Sequence, residues 1–451
     1  MLDLVPIQAK SLGDYGSVIG DDRVARIRAA AEPLRDARVL HLNATAFGGG
    51  VAEILATLVP LMRDVGVQAE WRVIHGDDSF FKVTKSFHNA LQGMPIAWTA
   101  EMWQTWMQFS ELNANLFDGE YDFVVAHDPQ TAGMLSYLSE RGVVDPGRWT
   151  WRCHIDLTEA QPEVWDFLRP FVQLHGAIVF TMPQFVREDL NLERVAIIPP
   201  SIDPLSSKNV DLDSAGVTQI LERYGVDPKR PIITQVSRFD PWKDPLGVID
   251  VYREVKSEFP DVQLVMVASM AHDDPEGWSY YERTARHAGE DEDIHLLSNL
   301  QGVGNWEVNA FQRASDVVIQ KSLREGFGLV VAEALWKGRP VVAGAVGGIP
   351  LQVLDGQTGF LVNSVEDCAD RVIELLRSPS AADQMGESGR EHVRRWFLLP
   401  RNLEDYLSLF KKLAHGTAAC SVPPMSIDVD NVHSEPLPRS RYLLDSMSRA
   451  G

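Results

Sequence analysis

The segment Asp316–Pro350, DVVIQKSLREGFGLVVAEALWKGRPVVAGAVGGIP, constrains the fold more tightly than any other part of the chain. Asp316 to Gln320 is short, apolar and β-branched, the pattern of a buried parallel strand. Lys321 to Gly328 has no periodicity and two glycines, so it reads as a loop. From Leu329 to Lys337, Val330, Val331, Ala334 and Leu335 fall on one helical face. Gly338 ends that helix as a C-cap, and Pro340 bars its extension. Arg339 to Ala343 is the next strand, followed by a second glycine loop, Gly344 to Gly348. Strand, loop, helix, strand is a βαβ unit, which predicts an α/β, doubly wound fold.

In such a fold the loop after the strand opens where ligands bind. The helix starting near Leu329 aims free N–H groups and its positive end at the same space, which suits an anion. Glu325 and Glu333 would repel an anion but accept hydrogen bonds from sugar hydroxyls. A ligand with both phosphate and hydroxyl groups follows: a sugar nucleotide or sugar phosphate. For Glu333 alone, a solvated helix face is the competing reading.

The alternation extends through the chain. Val39 to Leu42 is a strand that runs into Gly48-Gly49-Gly50, and Val51, Ile54, Leu55, Leu58, Val59 and Met62 then recur at helical spacing. Three glycines at that turn let backbone amides approach a ligand, although a turn made tight for packing is the alternative. Neither a P-loop nor a dinucleotide fingerprint is present. Further strands are read at 71–74, 123–130 (ending in a polar corner), 149–156, 177–180, 195–198, 231–236, 263–268 and 294–299. The segment Phe80–Gly93 is basic and aromatic. Its polar groups, Lys85 and Asn89 among them, could line a pocket, against a surface helix with Phe87 and Leu91 packed inward. His154 and Asp156 end one strand, and Asp128 and Gln130 end another, in the places where ligands sit. Arg238 and Lys243 follow the strand 231–236, as cations for a diphosphate or as plain surface charge. Prolines at 199–204 stiffen the chain before a polar stretch, 206–214, and the domain boundary is placed there: 1–205, completed by a returning helix at about 396–415, and 206–395. Residues 416–451 read as a mobile tail.

At 451 residues with a net charge of −21, the chain suits two or three domains and opposes non-specific binding to nucleic acid or anionic membranes. Any phosphate must therefore be held by local cations. Three distant cysteines argue against a disulfide framework or a metal cluster and fit a reducing cytoplasm. No apolar run approaches the roughly 18 residues of a membrane span, and the N-terminus lacks signal-peptide character. A cytoplasmic protein is expected.

Glu325-Gly326-Phe327-Gly328-Leu329 followed by Glu333-Ala334 and Gly338-Arg339-Pro340 resembles the E-x7-E signature of retaining glycosyltransferases of the GT-B fold, family four. Gly356 to Val362 resembles the turn that follows it there. Asn43–Glu53 and Lys82–Gly93 narrow the resemblance to trehalose synthases of the glycosyltransferring type, over most of residues 38–410. The resemblance implies two Rossmann-like domains facing across a cleft. Arg238 and Lys243 would neutralise the leaving diphosphate, the Gly326–Leu329 backbone and Gly48–Gly50 would meet phosphates, and Glu325 would hold the donor glucose. Glu333 would take the ribose, and Asn299 stands where the family seats the base. His154 would contact the donor sugar and the reacting centre, with Lys85, Asn89, Asp128, Gln130 and Asp156 as acceptor-side residues. Partners would be a nucleoside diphosphate glucose, glucose and trehalose. No cofactor or bound metal is required, Mg2+ being an optional companion of the nucleotide, and a homodimer is compatible with this reading. Leu351-Gln352 departs from the family, where an acidic residue is common. A trehalose phosphorylase, a silent sugar-nucleotide sensor and a GT-B epimerase are the alternatives.

Overall fold

A computed structural model describes residues 1–270 and 275–416 of the chain. Apart from Gly416, the expected tail 416–451 lies outside the described residues. The chain divides into two compact units: Met1–Ile202 with the segment that begins at Phe397, and Asp203–Trp396.

The first unit is built on a seven-stranded sheet. Its strands are β1 (Asp3–Leu4), β2 (Arg38–Asn43), β3 (Gln68–Val73), β4 (Phe123–His127), β5 (Trp149–Arg152), β6 (Ala177–Phe180) and β7 (Val195–Ile197). The order is β1-β3-β2-β4-β5-β6-β7, parallel throughout except for β1, which pairs antiparallel to β3. The apolar runs become central strands because helices cover them, so both faces are buried. The strand order reverses between β2 and β4, the kind of switch point where such sheets take ligands.

The second unit has six parallel strands: β8 (Ile232–Val236), β9 (Gln263–Ala268), β10 (Ile294–Ser298), β11 (Val317–Gln320), β12 (Val341–Gly344) and β13 (Gly359–Val362). Their order is β10-β9-β8-β11-β12-β13, with the switch point between β8 and β11. The helix Leu329–Trp336 is buried on nearly every side, not on one face, because it is covered by the helix Pro379–Trp396 as well as by the sheet.

Two strand expectations shift. β5 stops at Arg152, so Cys153 to Asp156 leave the sheet as a corner. β3 begins three residues earlier than its apolar run suggests, carried by pairing to β2. Phe80–Gly93 lies mostly in the helix Asp78–Leu91, with Phe87 and Leu91 fully buried. Residues 365–414 form three helices, of which Leu399–Ala414, at the place of the expected returning helix, packs on the first unit. The chain re-enters that unit where the Ile202 amide donates to the Phe397 carbonyl at 2.8 Å. Tyr406, Leu407 and Phe410 are buried, and Phe410 stacks on Phe123 with ring centroids 4.9 Å apart.

Phe410→Ala should therefore destabilise the first unit by about 3–5 kcal/mol, the usual result of emptying an aromatic core position. Thermal denaturation followed by circular dichroism would show this as a lowered melting transition; an unchanged transition would remove this contact from the account.

Candidate active site

The richest cluster in the second unit forms where the loops after β8 and β11 meet. Asp240 accepts the Trp242 amide at 2.8 Å and so shapes the short turn Pro241–Lys243. Asp244 follows in the left-handed region, φ 48°, and caps the helix Pro245–Glu258. Lys321 donates to its Oδ2 at 2.5 Å, and both side chains are buried. Burial pushes the Asp244 carboxyl up, against the pull of Lys321. The Leu323 amide donates to the Trp242 carbonyl at 2.7 Å, and Gln235 Nε2 to the Lys243 carbonyl at 2.9 Å. The Lys321–Asp244 and Leu323–Trp242 bonds lace the two loops together. On top of them, Lys243 Nζ lies 2.6 Å from Glu325 Oε2, which also accepts from Ser322 Oγ at 3.3 Å. Arg238 stands at the same strand end with its side chain 54% exposed and 3.3 Å from Asp240. Such an exposed contact contributes little stability, so the guanidinium can turn to a ligand.

Backbone geometry fixes Glu325 from below. Gly328 is left-handed, φ 81°, and begins the helix Leu329–Trp336 with no side chain capping it. The first amides of that helix are thus left for another acceptor. Gly347, φ 54°, has no room for a Cβ, which would fall 1.6 Å from the Glu325 carbonyl oxygen. A Cβ on Gly348 would meet the Gly326 carbonyl at 2.7 Å, and the Gly348 amide donates to the Glu325 carbonyl at 3.3 Å. The second glycine loop is a packing device beneath the first. The buried Gln352 donates to the Phe327 carbonyl at 2.5 Å, which an unprotonated acid at that position could not do.

Glu333 is not on a solvated face. It is fully buried, with Lys208 Nζ 3.1 Å from its Oε1. Lys208 comes from the stretch 206–214, whose polar aperiodic sequence carries no signal of this contact. Asn299 bonds through both side-chain atoms to the Met270 backbone, at 2.7 and 2.9 Å, and so ties the end of β10 to that of β9. Its side chain therefore fixes the shape of that corner.

In the first unit, Gly48 (φ 75°) and Gly49 (φ 134°) adopt angles that disfavour any side chain, and no atom lies within 4 Å of either Cβ direction. They lead into the helix Gly50–Asp64. His154, in the corner after β5, is the end of a chain of three imidazoles that the sequence reading did not find. His127 Nδ1 lies 3.0 Å from His154 Nε2, and His127 Nε2 lies 3.1 Å from His41 Nδ1. Burial lowers the pKa of all three, that of His41 to about 3. For His127 the other two imidazoles and Arg152 add to the effect, and for His154 Arg152 does. The clue lay in parallel register: His41 pairs with Val125, so His127, two residues on, faces the same side.

Asp128, left-handed at φ 61°, accepts the His154 amide at 2.8 Å, and burial pushes its carboxyl up to about 6. It holds the corner. The buried Asp156 accepts from the Thr158 amide and hydroxyl, at 3.0 and 2.6 Å. Gln130 is half-buried on the short helix Asp128–Thr131, while Lys85, half-buried, and Asn89, buried, lie on the helix Asp78–Leu91.

Residues 41–187 match the family model described as trehalose synthase, N-terminal domain, and residues 217–392 match glycosyl transferases group 1. The chain is 53% identical over 404 residues to a trehalose synthase of Thermococcus litoralis, covering 89% of this chain and 97% of the relative. It is 50% identical to one of Rubrobacter xylanophilus, covering 92% and 99%. A trehalose phosphorylase of Pleurotus pulmonarius is 27% identical, and the match spans 85% of this chain but 58% of that protein. Among solved structures, a trehalose-6-phosphate synthase aligns with a TM-score of 0.67 at 14% identity, covering 83% of this chain and 99% of that one. A sucrose-phosphate synthase of Thermosynechococcus elongatus aligns at 0.66 and 16%, covering 84% and 100%. The fold is GT-B.

The packing of the two glycine loops gives a paired test. Gly347→Ala meets both the left-handed angle and the Glu325 carbonyl, whereas Gly356→Ala, φ 70°, meets the angle alone. Gly356→Ala should cost about 1–2 kcal/mol, as strain at such an angle does, and Gly347→Ala clearly more. Denaturant titration would order the two; equal losses would contradict the packing role of Gly347.

Proposed function

The chain belongs to the trehalose synthase family of glycosyltransferases, and we propose that it makes trehalose from UDP- or ADP-glucose and free glucose, with retention at the anomeric carbon. The observation that carries this reading is the 2.6 Å contact of Lys243 with Glu325. It sets a cation suited to phosphate beside a carboxylate suited to sugar hydroxyls, which is the polarity of a sugar nucleotide across its phosphate–sugar link. The high identity to named trehalose synthases along nearly their whole length supports the synthase reading over that of a phosphorylase, since the match to the phosphorylase covers only 58% of that protein.

On this reading Arg238 and Lys243 take the diphosphate and stabilise the charge that grows on it as the glycosidic bond breaks. The uncapped amides after Gly328 share that charge. Glu325 holds the donor glucose. Glu333 takes the ribose by exchanging part of its contact with Lys208 for ribose hydroxyls, and the Asn299 corner borders the base. Gly48 to Gly50 offer further amides to phosphate. His154, held by Asp128 and the histidine chain, contacts the sugars, with Lys85, Asn89, Gln130 and Asp156 on the acceptor side. No carboxylate stands out as a nucleophile of the kind that retaining hydrolases use. The leaving phosphate oxygen would therefore receive the acceptor proton on the same face from which it departs. The nucleotide needs no resident metal in this scheme, and Mg2+ would act only as its companion.

Product analysis of two reactions run side by side tests the proposal. UDP- or ADP-glucose with glucose should yield trehalose and the nucleoside diphosphate. Glucose 1-phosphate formed from trehalose and phosphate alone would make the enzyme a phosphorylase, and silence in both would overturn the activity. Within the first reaction, Arg238→Ala and Lys243→Ala should each lower kcat about 100-fold or more, the scale of losing one charge-stabilising donor. Near-normal turnover in either folded variant would remove that residue from the mechanism.

A further inference from the structure

The chain His41–His127–His154 carries a consequence for the reaction that follows from counting protons. A neutral imidazole has one N–H donor and one bare nitrogen acceptor. His127 sits in the middle and uses both nitrogens, one toward each neighbour, at 3.1 and 3.0 Å. It must donate one of these bonds and accept the other, so both bonds run in the same direction along the chain. His41 then decides which direction. Its Nε2 is buried and has no hydrogen-bond partner among the described residues, and the Tyr406 ring meets it edge-on at 5.7 Å between centroids. A proton on that nitrogen would be an orphan donor inside the protein, which folded chains rarely tolerate. The proton of His41 therefore belongs on Nδ1.

Accordingly, we propose that His41 and His127 are positioning residues that fix His154 as the neutral Nδ1–H tautomer, making it a hydrogen-bond donor to a sugar oxygen and not the base that removes a proton. The bonds run His41 Nδ1–H to His127 Nε2, then His127 Nδ1–H to His154 Nε2. The only ring nitrogen that His154 has left to offer is Nδ1, and it carries a proton. His41 and His127 are buried and His154 is half-buried, with the Arg152 charge acting on His127 and His154, so an added positive charge is disfavoured along the chain. The three rings form a line, and among the described residues no group of His, Cys, Asp or Glu is arranged to hold a metal ion. This inference rests on the proposed sugar transfer. It deepens that reading, because a donor at His154 leaves the acceptor proton to the departing phosphate oxygen.

Nitrogen NMR of the whole wild-type chain labelled with 15N-histidine reads the tautomers without any substrate. Three neutral Nδ1–H rings at pH 7 are expected, and an Nε2–H or doubly protonated His154 would overturn the proposal. Two variants of His127 add a kinetic arm, because an asparagine amide falls near the position of Nδ1 and a glutamine amide near that of Nε2. His127→Asn keeps a donor for His154 and should retain most of kcat. His127→Gln loses that donor and should lower kcat about 10- to 100-fold with KM little changed, the scale seen when a partner orienting a functional histidine is removed. Equal losses in two folded variants would mean that His127 only fills space, and would overturn the proposal. If the variants fail to fold, the wild-type spectrum still decides. Absence of trehalose synthesis in the wild-type chain would overturn the functional reading, while the spectrum would judge the tautomers separately.

Discussion

The contact between Lys243 and Glu325 depends on more structure than its two side chains suggest. Alone, a cation and a carboxylate at 2.6 Å would be one more ion pair. Here each partner sits on a loop that the switch point of the second sheet brings beside the other, because β8 and β11 are neighbours in space and far apart in sequence. The buried Lys321–Asp244 pair and the Leu323–Trp242 bond join those loops underneath. Gly347 lets the backbone close to a distance that no other residue permits, and Gly328 takes the left-handed angle that starts the helix. Removing one member of a buried ion pair leaves a charge unpaired in the interior and costs far more than an exposed pair would. The lacing is therefore what holds the two functional groups in register.

The first unit uses the same logic with different chemistry. Its switch point lies between β2 and β4, and the imidazoles of His41 and His127 come from those two strands. His154 is added from the corner after β5, held through its amide by Asp128. On the proposed reading, the second unit concentrates charge for phosphate and the first presents neutral groups suited to hydroxyls. An acidic chain would gain from this division, since its overall field would repel a nucleotide and the cations opposing that field would be gathered at one place.

Much of this was legible in the sequence, for identifiable reasons. Strands buried on both faces are apolar runs, and glycines with capping patterns punctuate them, so the βαβ alternation and the loop residues Glu325 to Leu329 could be read directly. Arg238 and Lys243 stood out because they follow a strand in a chain short of positive charge. What escaped was pairing across sequence distance. Lys208 meets Glu333 from a stretch without periodicity. His41 looked like one polar residue in an apolar strand, and only the register with β4 and the corner after β5 reveals its neighbours. Asn299 was assigned by its position, and only the coordinates show its side chain bound to the Met270 backbone. The length of β5 also escaped, since apolarity does not mark where pairing stops.

The division of labour at Lys243 and Glu325 is open to a direct measurement, calorimetric titration of the full chain with UDP or ADP, which carry the phosphates but no glucose. The account predicts saturable binding to the wild type. Lys243→Ala should weaken it about 10- to 100-fold, the equivalent of losing one charged hydrogen bond. Glu325→Gln should not weaken it, because that carboxylate meets no phosphate and its neutralisation releases Lys243 from the 2.6 Å contact. Absence of nucleotide binding, or equal weakening by the two substitutions, would contradict the assignment of phosphate to one residue and sugar to the other.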